Sequence, residues 1–102
     1  MAIRHMKLEA GTRPILPRHV RLKFDKLRER WLLLAPERIL IPDPIAVKVL
    51  QMCDGERSVA ALIAELAGIY DAPESQIGQD VTVMLQELAD KGFLTEIKET
   101  AQ

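Results

Sequence analysis

An α+β domain of winged-helix-like plan, an N-terminal three-stranded antiparallel β-sheet followed by a three-helix bundle, is the fold class this sequence predicts. Three observations carry the expectation. Apolar residues recur with a period of two between Val20 and Ile41, then at helical spacing from Ile45 onward. Start and stop signals divide the second half into three helices. The last two helices are joined by a tight turn.

The elements follow in order. Pro14 and Pro17 bracket Ile15 and Leu16 and push their predecessors toward extended backbone, so residues 1–17 read as an arm. Within it, His5 and Met6 suggest that residues 1–5 are a tag remnant. The domain is expected over 18–95, with a frayed tail over 96–102. The first strand alternates Val20, Leu22 and Phe24 with Arg21 and Lys23, and Asp25 to Glu29 is a polar connection of hairpin length. Arg30 to Ala35 returns as a second strand, with Trp31 and Leu33 on one face and Leu32 and Leu34 on the other. Pro36 and Glu37 make a corner before a third strand, Arg38 to Ile41, in which Leu40 opposes Ile39 and Ile41.

Pro42 ends that strand, having no N–H for a ladder. Asp43 followed by Pro44 is a helix start, and Ile45, Val49, Leu50 and Cys53 give the helix its apolar stripe up to a stop at Asp54 and Gly55. Ser58 caps a second helix striped by Val59, Leu62, Ile63, Leu66 and Tyr70. Asp71 with Glu74 has the form of a capping box for a third, carrying Ile77, Val81, Met84, Leu85 and Leu88. Gly92 stops it, and Phe93-Leu94 packs back.

Composition narrows the function. With 102 residues, 48% hydrophobic and 28% charged, the chain is one globular domain rather than a disordered tail or a coiled coil. No apolar run approaches the roughly 20 residues of a membrane span and no export signal is apparent, so a cytoplasmic location is expected. Cys53 is the single cysteine, which excludes an internal disulfide and multi-cysteine metal motifs, and its apolar neighbours mark a structural thiol. Two scattered histidines and five dispersed glycines offer no nucleophile–base pair, ligand cluster or phosphate cradle. No catalysis, cofactor or metal is expected.

Charge is uneven. Residues 1–40 hold ten basic and four acidic side chains, whereas residues 58–90 hold six acidic and no basic ones. A winged-helix DNA-binding protein is the competing reading, because the helix after the turn would enter the major groove. That helix carries Glu74, Asp80, Glu87 and Asp90 and would meet phosphates with repulsion, so no nucleic-acid partner is expected.

The helices can cover one face of the sheet, which leaves Leu32, Leu34 and Leu40 to be accounted for. The arm folding back with Ile15 and Leu16, two copies pairing or exchanging arms in a homodimer, or helices that wrap further are three answers. The fourth is a guest peptide added to the apolar third strand, held by main-chain bonds and by side chains in a groove beside the third helix. On this reading Leu40→Pro would abolish peptide binding with the helices intact.

VRLKFDKLRERWLLLAPERILIPD, LQMCDGERSVAALIAELAGIYDAP and VTVMLQELADKGFL closely resemble the PqqD family of pyrroloquinoline quinone (PQQ) biosynthesis over about residues 14–95. The PER corner, the CDG turn and the closing LQELADKGFL are the most specific parts. Relatives more often have a plain polar cap where this chain has prolines around Asp43, which still caps. The resemblance implies a non-catalytic precursor-peptide recognition element. Similar proteins bind the peptide PqqA as an added strand between the third strand and third helix, and present it to the radical SAM enzyme PqqE, which cross-links a Glu to a Tyr. Carried onto this chain, the guest lies along Glu37, Arg38, Ile39, Leu40 and Ile41, with Asp80, Met84 and Glu87 across the groove. The acidic helix would favour a basic peptide segment.

Overall fold

The computed structural model describes residues 7–97. Three strands, β2 (Arg21–Asp25), β3 (Arg30–Ala35) and β4 (Arg38–Leu40), form an antiparallel sheet in that order. Three helices follow, α1 (Pro44–Gln51), α2 (Val59–Tyr70) and α3 (Glu74–Asp90). The α+β class predicted from periodicity is the class observed. A second, two-stranded sheet joins β1 (Arg13–Ile15) to β5 (Thr95–Ile97).

Local chemistry fixes the turns. Asp25 accepts from the backbone N–H groups of Leu27 and Arg28 at 3.1 and 3.4 Å, and Glu29 takes a left-handed φ of 54° to close the β2–β3 hairpin. Pro36 presets the first central position of the β3–β4 turn and Glu37, at φ 62°, takes the second. This two-residue turn sets the register. Leu33 faces both Leu22 and Leu40, while Leu34 faces Arg21 and Ile39. Leu40 therefore shares the core side with Leu33, which is fully buried, and Ile39 stands outside with Leu32 and Leu34. The sequence reading had grouped Leu40 with Leu32 and Leu34. Alternation along β4 was legible in the sequence, but its phase against β3 depends on turn length.

The core lies between the inner sheet face and the helices, and joins Leu33, Val49, Leu50, Leu62, Leu66 and Leu85. In α1 the buried residues are Val47, Val49 and Leu50, whereas Ile45, expected on the stripe, is exposed. The helix is capped by Met52, so Cys53 is buried just beyond it rather than on it. Tyr70, expected in the α2 stripe, is also exposed. Asp71 does not cap α3. It occupies a left-handed C-cap of α2 at φ 51°, and α3 begins behind Pro73 with no side-chain cap. Pro73 is itself extended, which places the start of α3 two residues further on. At its far end α3 closes with a Schellman motif, Gly92 at φ 86° donating to Ala89 at 3.0 Å and Phe93 to Leu88 at 2.8 Å.

Two segments expected to be irregular are paired. Arg13 stands opposite Ile97 and Ile15 opposite Thr95, so part of the arm and the start of the tail form one ribbon. The carbonyls of Thr12 and Ala10 accept from Val59 and Ala60 at 2.8 and 3.0 Å, which satisfies donors otherwise orphaned in the first turn of α2. Leu8 donates to the Gln86 side chain of α3 at 3.1 Å. Except for the Gln86 side chain, these anchors are main-chain bonds, which leave no residue-type signature in the sequence. The CDG turn receives the ribbon: Gly55, at φ 80°, donates to the Pro14 carbonyl at 2.9 Å. Asp54 accepts from the backbone of Arg57 and Glu56 at 3.0 and 2.9 Å, bonds that hold its carboxyl below the usual range. The arm from residue 7 onward thus runs to α2, α3 and the CDG turn, away from the outer sheet face. The expectation about residues 1–5 lies outside the described residues.

Candidate functional site: a cleft between an edge strand and α3

β4 is an edge, with a hydrogen-bonded neighbour on one side only among the described residues. The Pro36–Glu37 turn makes Ala35 and Arg38 the closing bonded pair, and antiparallel alternation makes Leu33 and Leu40 the next. The N–H and C=O of Ile39 are therefore directed away from β3, toward open space beside the strand.

Next to this edge, beginning at Leu40, lies a cleft of about 370 Å³. Leu40, Ile41 and Pro42 form its strand wall, Ala46 and Leu50 of α1 its floor, and Asp80, Val83, Met84, Glu87, Leu88 and Lys91 its helix wall. Local sequence explains the opening. Pro42 ends the strand, and Asp43 caps α1 by accepting from the Ala46 N–H at 2.8 Å, so the chain turns sharply beneath the cleft. Ala46, the small residue there, leaves the floor low. Helix α3 carries two stripes, Val81, Leu85 and Leu88 buried in the core, and Asp80, Met84 and Glu87 along the cleft, continued by Lys91 at its C-cap.

Of the residues named from sequence, Leu40, Ile41, Asp80, Met84 and Glu87 line this one cleft. Glu37, Arg38 and Ile39 do not. Glu37 sits in the exposed turn, and the Arg38 guanidinium lies 4.5 Å from the centroid of the Phe93 ring, a cation–π contact joining the PER corner to the Gly92-Phe93 turn. Ile39, 67% exposed, offers its backbone to the edge and its side chain to the outer face. Sequence reasoning missed the α1 floor, Val83 and Lys91. Lys91 was legible as the next member of the 80, 84, 87 stripe, whereas Ala46 and Leu50 have no signal beyond ordinary helix content. Trp31 packs edge-on against Phe24 at 5.4 Å between centroids, across the β2–β3 hairpin.

The cleft holds three carboxylates, of Asp43, Asp80 and Glu87, against one ammonium, Lys91. It can take an apolar strand that carries positive charge. Among the described residues no group of three or more His, Cys, Asp or Glu is placed to hold a metal ion. Cys53 is buried away from the cleft and donates to the Val49 carbonyl at 3.2 Å, and burial followed by the neighbouring Asp54 charge pushes its thiol up to about 12. A thiol so protonated is no nucleophile. No helix among the described residues is long and apolar enough to cross a membrane. The DNA-binding alternative finds no support, since α3 exposes Glu74, Asp80 and Glu87.

Comparison with known proteins gives a consistent set. The family model for coenzyme PQQ synthesis protein D (PqqD) matches residues 30–94. A protein of Rhodopseudomonas palustris (strain TIE-1), described as a PqqA binding protein, is 60% identical over 100 residues, covering 98% of each chain. The solution structure of the PqqD truncation of Methylobacterium extorquens PqqCD, described as a functional and stand-alone RiPP recognition element, is 40% identical and superposes with a TM-score of 0.73 over 86% of this chain and 94% of its own. The crystal structure of PqqD from Xanthomonas campestris is 42% identical, with a TM-score of 0.52 over 74% of this chain and 84% of that one.

Proposed function

The chain belongs to the PqqD family, and from that membership we propose that it binds the precursor peptide PqqA as a strand added to β4 and presents it to the radical SAM enzyme PqqE, without itself catalysing a bond change. One observation carries the proposal: the outward main-chain groups of Ile39 stand beside a cleft of about 370 Å³ with apolar walls. Backbone pairing and side-chain burial are then available to the same guest.

Magnitudes show why both are needed. About four added backbone bonds, at roughly 0.5–1.5 kcal/mol net each, give about 2–6 kcal/mol, and ordering the guest takes back about 2–5. Micromolar affinity is about −8 kcal/mol. The balance must come from burying several guest side chains at about 1.5–3 kcal/mol each against Leu40, Met84 and Leu50. Asp80 and Glu87 add selection for a cationic guest segment. In this reading the whole chain is an adaptor.

An amide-resolved NMR titration with PqqA tests it. The largest shifts are expected at residues 39–41 and along 80–91. Shifts confined to α2 and the β1–β5 ribbon would remove the proposal.

A further inference from the structure

We propose that the outer face of the β2–β3–β4 sheet is a docking surface for a second protein, one that presents an apolar side chain ringed by carboxylates. The inference rests on the peptide-adaptor reading above and assigns its hand-over surface. Register places Arg21, Leu34 and Ile39 side by side across the three strands, with Lys23 opposite Leu32. Leu32, Leu34 and Ile39 thus make an apolar strip flanked by Arg21 and Lys23. Leu32 and Leu34 lie outside the core cluster, and Ile39 is 67% exposed. The strip deepens into a recess of about 430 Å³ beside the β2–β3 turn, lined by Leu32, Leu34 and Phe24, by Lys23, Lys26 and the 94%-exposed Leu27, and by Asp25, whose carboxylate is already paired with Arg28 at 3.1 Å. Among the described residues neither Arg21 nor Lys23 has an ion-pair partner.

Charge selects the occupant. A second copy docking face to face would set Arg21 and Lys23 against their own counterparts, a like-charge juxtaposition that disfavours association. A recess with an apolar floor, two lysines and one aspartate already neutralised by Arg28 is net basic, and it suits one protruding side chain on a carboxylate-bearing protein surface, the geometry of an interface anchor. The position is also continuous with β4. A guest strand added there extends the outer face, and every second guest side chain stands on the same face as Ile39. A protein seated on this face would touch adaptor and guest together.

The double variant R21E/K23E alters two exposed side chains that line neither the cleft nor the core. Peptide affinity is measured by calorimetry, and affinity for the radical SAM enzyme by surface plasmon resonance with and without peptide. The expected result is an unchanged peptide Kd, an enzyme Kd weakened about tenfold or more with a flatter salt dependence, and enzyme-induced amide shifts at Leu27, Leu32 and Leu34 in the unaltered chain. Native enzyme affinity in the variant, absence of enzyme binding by the unaltered chain, or shifts elsewhere would overturn the assignment. So would capture of the unaltered chain, and not the variant, by phosphatidylserine vesicles, or a dimer that R21E/K23E dissolves. A peptide that fails to bind the unaltered chain would instead remove the adaptor reading, with the enzyme arm still deciding the surface.

Discussion

Replacing Ile39 by proline isolates main-chain pairing at β4 from everything else the strand does. The Ile39 N–H faces away from β3, so its loss leaves the Leu33–Leu40 and Ala35–Arg38 pairs intact. Its side chain is 67% exposed, and proline is tolerated on an edge strand, so fold stability should change by no more than about 1 kcal/mol. The guest, by contrast, loses one bond worth about 0.5–1.5 kcal/mol and keeps a carbonyl desolvated without a donor, at a further cost of about 1–3. The sum, about 1.5–4.5 kcal/mol, is a loss of roughly 10- to 2,000-fold in Kd. Calorimetric titration with PqqA reads the affinity, and far-ultraviolet circular dichroism with a thermal melt reads the fold. A folded Ile39→Pro chain that binds with native Kd would refute strand addition. Leu40→Pro, the change suggested by the sequence alone, is a poorer probe. Leu40 bonds toward Leu33 and packs on the core, so its replacement damages the sheet as well as the site.

Three further outcomes are expected. Reversing both Asp80 and Glu87 to lysine should weaken a cationic peptide by about 5- to 30-fold and flatten its salt dependence, and an unchanged isotherm would exclude electrostatic selection by α3. Gly55→Ala places a Cβ 2.9 Å from Ile97 Cγ1 and 3.0 Å from Ile15 Cδ1 at a backbone φ of 80°, which should cost about 2–4 kcal/mol and lower the calorimetric midpoint by several degrees; a native midpoint would contradict the docking of the β1–β5 ribbon on the CDG turn. For Cys53 the folded thiol is raised to about 12 from an ordinary 9.0, so the folded state keeps a proton that the unfolded state releases. That contribution is complete below about pH 9 and is lost as pH rises toward about 12. Denaturant midpoints measured across this window should fall less steeply in Cys53→Ala, and equal slopes would show that the thiol is not linked to folding.

How much was legible depends on where each signal is written. Strands β2–β4 and the three helices could be read because each buries a face, and burial imposes a period of two or of 3.6 on the residues themselves. The helix wall of the cleft came from the resemblance, which places Asp80, Met84 and Glu87 across the groove; periodicity alone sets Met84 on one stripe with Val81, Leu85 and Leu88, and the structure turns it toward the cleft. The β1–β5 ribbon was not legible. Three residues on each side are too few for a pattern, and its anchors run through backbone groups common to every residue type. Asp71 misled because a carboxylate before Glu74 fits a capping box and a left-handed C-cap equally well, and the choice fell to Pro73.

The sequence by itself determined the class of fold, the polarity of charge along the chain, and a short third strand followed by a helix that carries acidic side chains. Tertiary structure alone decided which side of β4 meets the core, that Ala46 and Leu50 floor the cleft, that Arg38 rests on Phe93 rather than in the cleft, and that an apolar strip with a basic flank remains on the outer sheet face. The division is physical. Periodicity records only whether a residue is buried, whereas register and cleft shape come from turn lengths and contacts between segments distant in the chain.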